Sequence, residues 1–320
     1  MRIATYNTEL QRDGPGLFLR DLARGEDDQI AAVLAVVAAA DADVLALQGM
    51  DYDLTGEALR LFAQSAGYPH FFALRPNTGM PTGLDMDGDG RRGGSRDAQG
   101  YGRFSGQGGM AVLSRFPIDA NNVQDLSALL WVDVPGATLP TVDGKAFPSV
   151  DALAAQRLSN SGHWVVPIEA PGGRFDLMTF HATPPVFDGP EDRNGKRNFD
   201  EIRLWSQVLA GDVGTPPSGP FVIAGDANLD PVDGEGIKAA ITNLLTLPAL
   251  QDTTPQGAAG TDTVDWQDPV PGDLRVDYVL PSTHWRVVDS GVLWPAPDDP
   301  MASTVAMASR HRLVWVDLSN

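Results

Sequence analysis

The 320-residue chain contains no cysteine, which removes disulfides, thiolate metal sites and cysteine nucleophiles together and leaves the redox compartment open. Positive charge is scarce: 23 Lys and Arg stand against 42 Asp and Glu, a formal net charge of −19. Such a field repels polyanions and attracts cations, so long duplex nucleic acid is disfavoured as a partner. A metal cation, or a small phosphoester brought in beside a local basic patch, fits better. No apolar run is long enough to cross a bilayer. No apolar segment of signal-peptide type follows Met1-Arg2, so the default expectation is a cytoplasmic protein, with a secreted or periplasmic place left open.

What is present reads as an ordinary globular chain, 42% hydrophobic and 20% charged. Its 34 Gly and 25 Pro gather between apolar runs, as in an all-β or α+β protein with many long turns. One domain over residues 1–320 and a monomer are expected. Alternation and apolar runs predict strands at 2–6, 43–48, 70–74, 110–113, 221–224, 275–280, 285–293 and 313–318. A hairpin is predicted from 163–168 and 175–180 around Glu169-Ala170-Pro171-Gly172-Gly173. Helical spacing appears at 28–40, 54–66, 198–209 and 236–245. Two long stretches, 75–109 and 117–160, follow no period; loops of that length are usually functional or mobile.

Polar residues recur where apolar runs end: Asn7 and Glu9, Gln48 and Asp51, His181, Asp226 and Asn228, Asp277, and His311. Ends of adjacent strands converge in space, so one mouth lined by carboxylates, amides and imidazoles is expected. The segments Ile3-Ala4-Thr5-Tyr6-Asn7, Asp43-Val44-Leu45-Ala46-Leu47-Gln48, Thr179-Phe180-His181, Gly225-Asp226-Ala227-Asn228, Arg275-Val276-Asp277-Tyr278-Val279-Leu280 and Ser309-Arg310-His311-Arg312 occur in this order. Each is weak alone, and together they resemble the DNase I-like endonuclease/exonuclease/phosphatase family over nearly the whole chain.

The resemblance implies an α+β fold, a four-layer αββα sandwich, and a metal-dependent phosphoesterase in which water attacks a phosphate in line. The divalent metal would be magnesium, with manganese as the alternative. By matching positions, Asp226 would orient or deprotonate the nucleophile and Asn228 would hold a phosphate oxygen. Asp277 would fix the tautomer of His311 and favour the imidazolium that faces the phosphate, and His181 would be a second phosphate contact or general acid. Asn7 would position the metal site and touch the phosphate, and Glu9 matches a position that is often an acidic ligand.

Two departures stand out. The family carries Glu after Gln48, and here the residue is Gly49; Asp51, ahead of Asp53, is the expected stand-in because a shift along the strand brings it near the same space. The family carries Asp before His311, and here it is Arg310, whose guanidinium would clamp a phosphate and take over part of the cation's charge.

Asp85-Met86-Asp87-Gly88-Asp89-Gly90 supplies oxygens at positions 1, 3 and 5 and Gly at 6, as a calcium loop does, but position 12 is Arg96. Calcium held by Asp85, Asp87 and Asp89 is therefore weighed against a solvated acidic turn. The segment around Arg193, Lys196 and Arg197 is the one local basic patch: either it recruits phosphate or it is a solvated loop before a helix. Phe199, Ile202, Leu204 and Trp205 read as that helix's core face. His70, His163 and His284 read as structural. The expected partner is a small phosphoester. A phosphate-binding or regulatory module that has kept the fold and lost turnover is the alternative, and a secreted calcium-stapled interaction protein a third reading.

Overall fold

Period-two burial organises the molecule. Ile3 packs to one side of the first strand and Ala4 and Tyr6 to the other; Val44 and Ala46 separate from Leu45 and Leu47 in the same way. A strand buried on both faces has no polar side, which is why these segments read as continuous apolar runs rather than clean alternation.

The computed structural model describes residues 1–319. In chain order the elements are β1 (Arg2–Asn7), α1 (Leu17–Arg24), α2 (Asp28–Ala40), β2 (Val44–Met50), α3 (Glu57–Ser65), β3 (His70–Phe72), β4 (Gly109–Ser114) and β5 (Gln124–Asp125). There follow β6 (Thr141–Val142), β7 (Lys145–Ala146), α4 (Val150–Ala155), β8 (His163–Ala170), β9 (Gly173–His181), α5 (Arg193–Ala210) and β10 (Phe221–Asp226). The chain closes with α6 (Ala239–Leu245), β11 (Asp277–Pro281), β12 (Arg286–Val292), α7 (Ala302–Ala308) and β13 (Val314–Ser319).

One sheet has the order β12-β13-β1-β2-β4-β3 and the other β11-β10-β9-β8-β5, with a separate small hairpin of β6 and β7. Their facing surfaces share a core of Ile3, Val44, Val112, Trp164, Leu177, Val222 and Val279. The outer face of the first sheet is covered by α2, α3 and α7, through Val33, Val36, Phe62 and Val305. The outer face of the second is covered by α5 and α6, through Ile202, Trp205, Val208 and Ile241. The result is four layers, α/β/β/α. Each large apolar side chain fully buried there contributes roughly 1.5–3 kcal/mol, so the three apolar interfaces dominate stability.

Two expectations change. Helix α5 begins at Arg193, five residues ahead of the predicted start, so the basic segment is the helix's first turns rather than a loop. Helices α1, α4 and α7 were not expected; they span eight, six and seven residues, too few for a 3.6-residue period to stand out.

Sheet register sets up the mouth. Asn7 pairs with Gln48, and Asp226 pairs with His181 on one side and Asp277 on the other. Counting by twos, Thr5 and Asn7 follow Ile3, Asp226 follows Val222 and Ala224, and His181 follows Leu177 and Thr179. All of them turn into the gap between the sheets at the same end, where the apolar filling stops.

Candidate active site

At that end Asn7 bridges the two sheets: its Nδ2 donates to Asp226 Oδ2 at 2.9 Å and lies 3.4 Å from His311 Nε2. His181 Nε2 lies 3.4 Å from the same Asp226 oxygen. The other Asp226 oxygen accepts the Asn228 backbone N–H at 2.8 Å. Asn228 adopts the left-handed region (φ 49) and its Nδ2 donates to the Ala182 carbonyl at 3.0 Å, tying the Asp226 loop to the His181 loop. His311 Nδ1 lies 2.9 Å from Asp277 Oδ2, which also accepts from Thr263 Oγ1 at 3.0 Å. The five expected catalytic residues, His181, Asp226, Asn228, Asp277 and His311, thus meet in one place together with Asn7.

Burial opposes a charge on His311, but Asp277, hydrogen-bonded to it, with Asp226 and Glu9 outweighs burial and raises its pKa to about 9. The ring is an imidazolium at neutral pH, with Nδ1–H given to Asp277. Burial, then the neighbouring Asp277 charge, raises the Asp226 pKa against the opposing histidines. Burial holds His181 below the ordinary histidine range, with His311 adding to the effect against the pull of Asp226. Two imidazoles around one carboxylate therefore carry different charges, an arrangement that separates a cation for binding from groups that move a proton.

The His311 pKa is raised above the unfolded value of about 6.5. Its stabilising contribution is fully present below about 6.5 and is lost as pH rises through about 9. Asp277→Asn removes the largest opposing charge. We expect the thermal midpoint to fall between those two pH values in the wild type, and that fall to shrink or vanish in the variant. Identical pH profiles of the two proteins, followed by circular dichroism, would refute the assigned pairing.

The residue expected to supply a metal-binding carboxylate is Gly49, at a bulge where the β2–β4 register shifts between Gln48 and Met50. Its φ is 70, and a Cβ there would stand 2.4 Å from Asn7 Oδ1 and 2.9 Å from the Glu9 backbone nitrogen. The space is filled by Asn7, so no side chain fits without displacing a residue of the site. Gly49→Glu is expected to cost roughly 2–5 kcal/mol, adding left-handed strain to overpacking. A urea midpoint equal to the wild type's would contradict this.

Asp51 does not take the missing place. Its oxygens accept the backbone N–H groups of Arg12 and Gly108, each at 2.9 Å, and it lines a separate pocket of about 300 Å³. Burial, opposed by those N–H groups, raises its pKa to about 6. Asp53 caps the start of α3 through the N–H groups of Thr55, Glu57 and Ala58. The left-handed turn at Gly49 sends the chain away from the mouth, which is why a simple slide along the strand misjudged both residues.

Glu9 does reach the mouth, where Arg310 holds it. The guanidinium bonds the Glu9 carboxylate through Nε at 2.9 Å and through Nη2, and the Arg310 backbone N–H adds a third contact at 2.8 Å. Burial works against the Glu9 charge, and Arg310 overcomes it and keeps the pKa low. Arg310 also stacks over Trp266, 4.3 Å from the ring centroid, and Trp266 meets His311 edge-on. Ser309 Oγ donates to the Asn7 carbonyl at 2.8 Å and fixes this corner. Trp266 and Thr263 escaped sequence reasoning: they lie in an irregular stretch before β11 with no period to mark them.

Of the remaining candidates, Arg193 and Arg197 line the same pocket, which encloses about 1250 Å³. Arg197 is buried, not a surface recruiter of phosphate; it donates to the carbonyls of Leu158, Gln99, Arg157 and Ser159. Asp85, Asp87 and Asp89 bring carboxylate oxygens within 4.8 Å of one another. Those oxygens accept the loop's own amides, Gly88 and Gly90 on Asp85 and Arg91 on Asp89. His163 is fully buried between Ser159 Oγ and the Glu201 carbonyl, and burial lowers its pKa to about 3, a structural role.

The pattern of the Endonuclease/Exonuclease/phosphatase family matches residues 4–311. The chain belongs to that family. Solved structures agree on the DNase I-like fold. An endonuclease/exonuclease/phosphatase from Beutenbergia cavernae is 20% identical with a TM-score of 0.60, covering 99% of this chain and 71% of its own. Sphingomyelinase C from Streptomyces griseocarneus is 17% identical with a TM-score of 0.53, covering 100% of this chain and 99% of its own. A humanized D. rerio TDP2 is 14% identical with a TM-score of 0.52, covering 100% of this chain and 99% of its own. No curated protein matches the sequence. At the level of reaction class, membership in the endonuclease/exonuclease/phosphatase family points to metal-assisted hydrolysis of phosphate esters. Among the described residues, no helix is long and apolar enough to cross a membrane.

A divalent ion needs oxygen donors. Asp226, Asp277 and His311 place ligating atoms within 4.8 Å of one another, and Asp277 Oδ1 is buried with no partner. His311 Nδ1 is engaged with Asp277, which leaves the carboxylates as the hard oxygen donors. Asp226 and Asp277 supply buried carboxylate oxygens there, and Glu9, paired with Arg310, lines the adjoining pocket.

Proposed function

We propose that the chain hydrolyses phosphate esters of small molecules, using Asp226 and the Asp277–His311 pair. The observation that carries the reading is the meeting of Asn7, His181 and His311 at one pocket, with Asp226 and Asp277 buried directly behind them, drawn from both sheets. Water adds to phosphorus as the bond to the ester oxygen breaks. The proton lost by water goes to Asp226, whose oxygens are oriented by Asn7 Nδ2 and the Asn228 N–H. His311, held as a cation by Asp277, faces the phosphate and offsets the negative charge that gathers on it. His181 and Asn228 hold phosphate oxygens, and the leaving oxygen takes its proton from solvent. A divalent ion, magnesium or manganese, held by Glu9 and Asp226 would neutralise phosphate charge. Arg310 supplies part of that charge from the protein itself.

Gly49 and the Arg310–Glu9 pair favour one second reading, a phosphate-binding module without turnover. A panel of aryl phosphate monoesters and diesters, assayed with added magnesium and with EDTA, separates the two. Turnover of at least one ester supports the hydrolase; phosphate binding with no turnover under either condition supports the module.

A further inference from the structure

The pocket is larger than one phosphate group needs, and its far wall carries charge that the proposed reaction leaves unused. Arg193 and Arg197 lie one turn apart on α5 and so share a helix face. Both line the pocket. Arg193 Nη2 donates to the Gln156 amide oxygen, and Arg197 spends Nε and Nη2 on carbonyls while its Nη1 makes no hydrogen bond among the described residues. Carbonyls and amides satisfy donors without neutralising charge. Glu201, one turn further on, acts on Arg197 through space, but its oxygens accept the backbone N–H groups of Asn160 and Thr183, each at 2.6 Å. Asp87, Glu191, Asp188 and Asp97 act on Arg193 through space, and their oxygens accept backbone amides, those of Asp89, Gly189, Asn194 and Gly94, rather than the guanidinium.

A second, independent observation lies beside these arginines. Ser161, two residues beyond the Ser159 carbonyl that Arg197 holds, and Thr78 are buried and line the pocket, and neither hydroxyl has a hydrogen-bond partner among the described residues. A buried hydroxyl without a partner is costly unless a ligand completes it. Guanidinium groups and hydroxyls together are the donor set that binds phosphate oxygens.

We infer that Arg193, Arg197, Ser161 and Thr78 form a second anion subsite, taking a second phosphate of a small ester whose scissile phosphate lies at His311. This rests on the hydrolase reading for the first position only. The substrate class is then a small molecule bearing at least two phosphates.

The test is isothermal titration with inorganic phosphate and with tripolyphosphate, which carries three phosphate groups on one chain. Tripolyphosphate is expected to bind the wild type at least tenfold more tightly than phosphate. Arg193→Gln is expected to reduce that preference to threefold or less, and Ser161→Ala, which removes no hydrogen bond of the fold, to lower it by about three- to tenfold. Equal affinities in the wild type, or a preference kept in full by both variants, would overturn the subsite. A wild type that hydrolyses no ester yet shows an Arg193-dependent preference would sink the hydrolase reading and leave the subsite standing.

Discussion

His311→Ala is expected to lower kcat/KM for an aryl phosphate by about 10²–10⁴-fold, the range for a positioned group that handles charge or protons in the transition state. His311 is buried at the head of the pocket and, among the described residues, is the only cation in direct contact with Asp277. Without it the phosphate faces Asp226 and Asp277 unshielded, so repulsion adds to the lost contact. The variant also leaves Asp277 partly unpaired in the interior, which costs about 3–5 kcal/mol when one partner of a buried pair is removed. Thr263 Oγ1 continues to donate to Asp277, and the three apolar layers are untouched. A lowered but cooperative melting transition is therefore expected. Assays well below that transition, with near-ultraviolet circular dichroism as the control for folding, separate lost chemistry from lost structure. Unchanged turnover would remove the mechanism.

Arg310→Asp has the second large expected effect, and it bears on the cation. The guanidinium now contacts the Glu9 carboxylate at three points counting its own backbone N–H, and it is steadied by Trp266. Because the Arg310 side chain is more than half exposed, solvent screens the pair and it is worth about 0–1 kcal/mol to stability, so the expected effect is on charge at the site. Reversing the charge frees Glu9, sets a second carboxylate beside it, and withdraws the positive charge that the protein supplies. Turnover in EDTA should then fall by at least about tenfold relative to the wild type, the factor for 1.4 kcal/mol. Restoration by magnesium should be correspondingly steeper. The measurement is a magnesium titration of aryl phosphate hydrolysis in both proteins after identical EDTA treatment. Superimposable curves would mean that Arg310 plays no part in charge balance at the site.

Much of this was legible without coordinates, for an identifiable physical reason. Buried strands end where polar residues begin, so Asn7, His181, Asp226 and Asp277 announced both the strand ends and the mouth. The αββα layering followed from the family resemblance and from runs such as 43–48 that lack a polar face. Position 49 was legible as a departure but not in its consequence. A glycine says nothing in sequence about the sign of its φ, and past the left-handed turn there Asp51 is bound by the backbone N–H groups of Arg12 and Gly108. Arg197 shows the opposite limit. Its charge suggested an exposed patch, yet α5 starts early enough to carry it inside, where four carbonyls take its Nε and Nη2 donors. Trp266 and Thr263 gave no signal because a residue in an irregular loop acquires its neighbours only when β11 and the chain before His311 come together.

The proposed chemistry needs an anion-binding point between the two sheets, and the most direct measurement is a crystal structure of the protein soaked with vanadate, an anion with the geometry of a transferring phosphate. Vanadate is expected against His311, with Asn7 and His181 within hydrogen-bonding distance. Vanadate bound only elsewhere, or a pocket that stays free of it at saturating concentration, would contradict that chemistry.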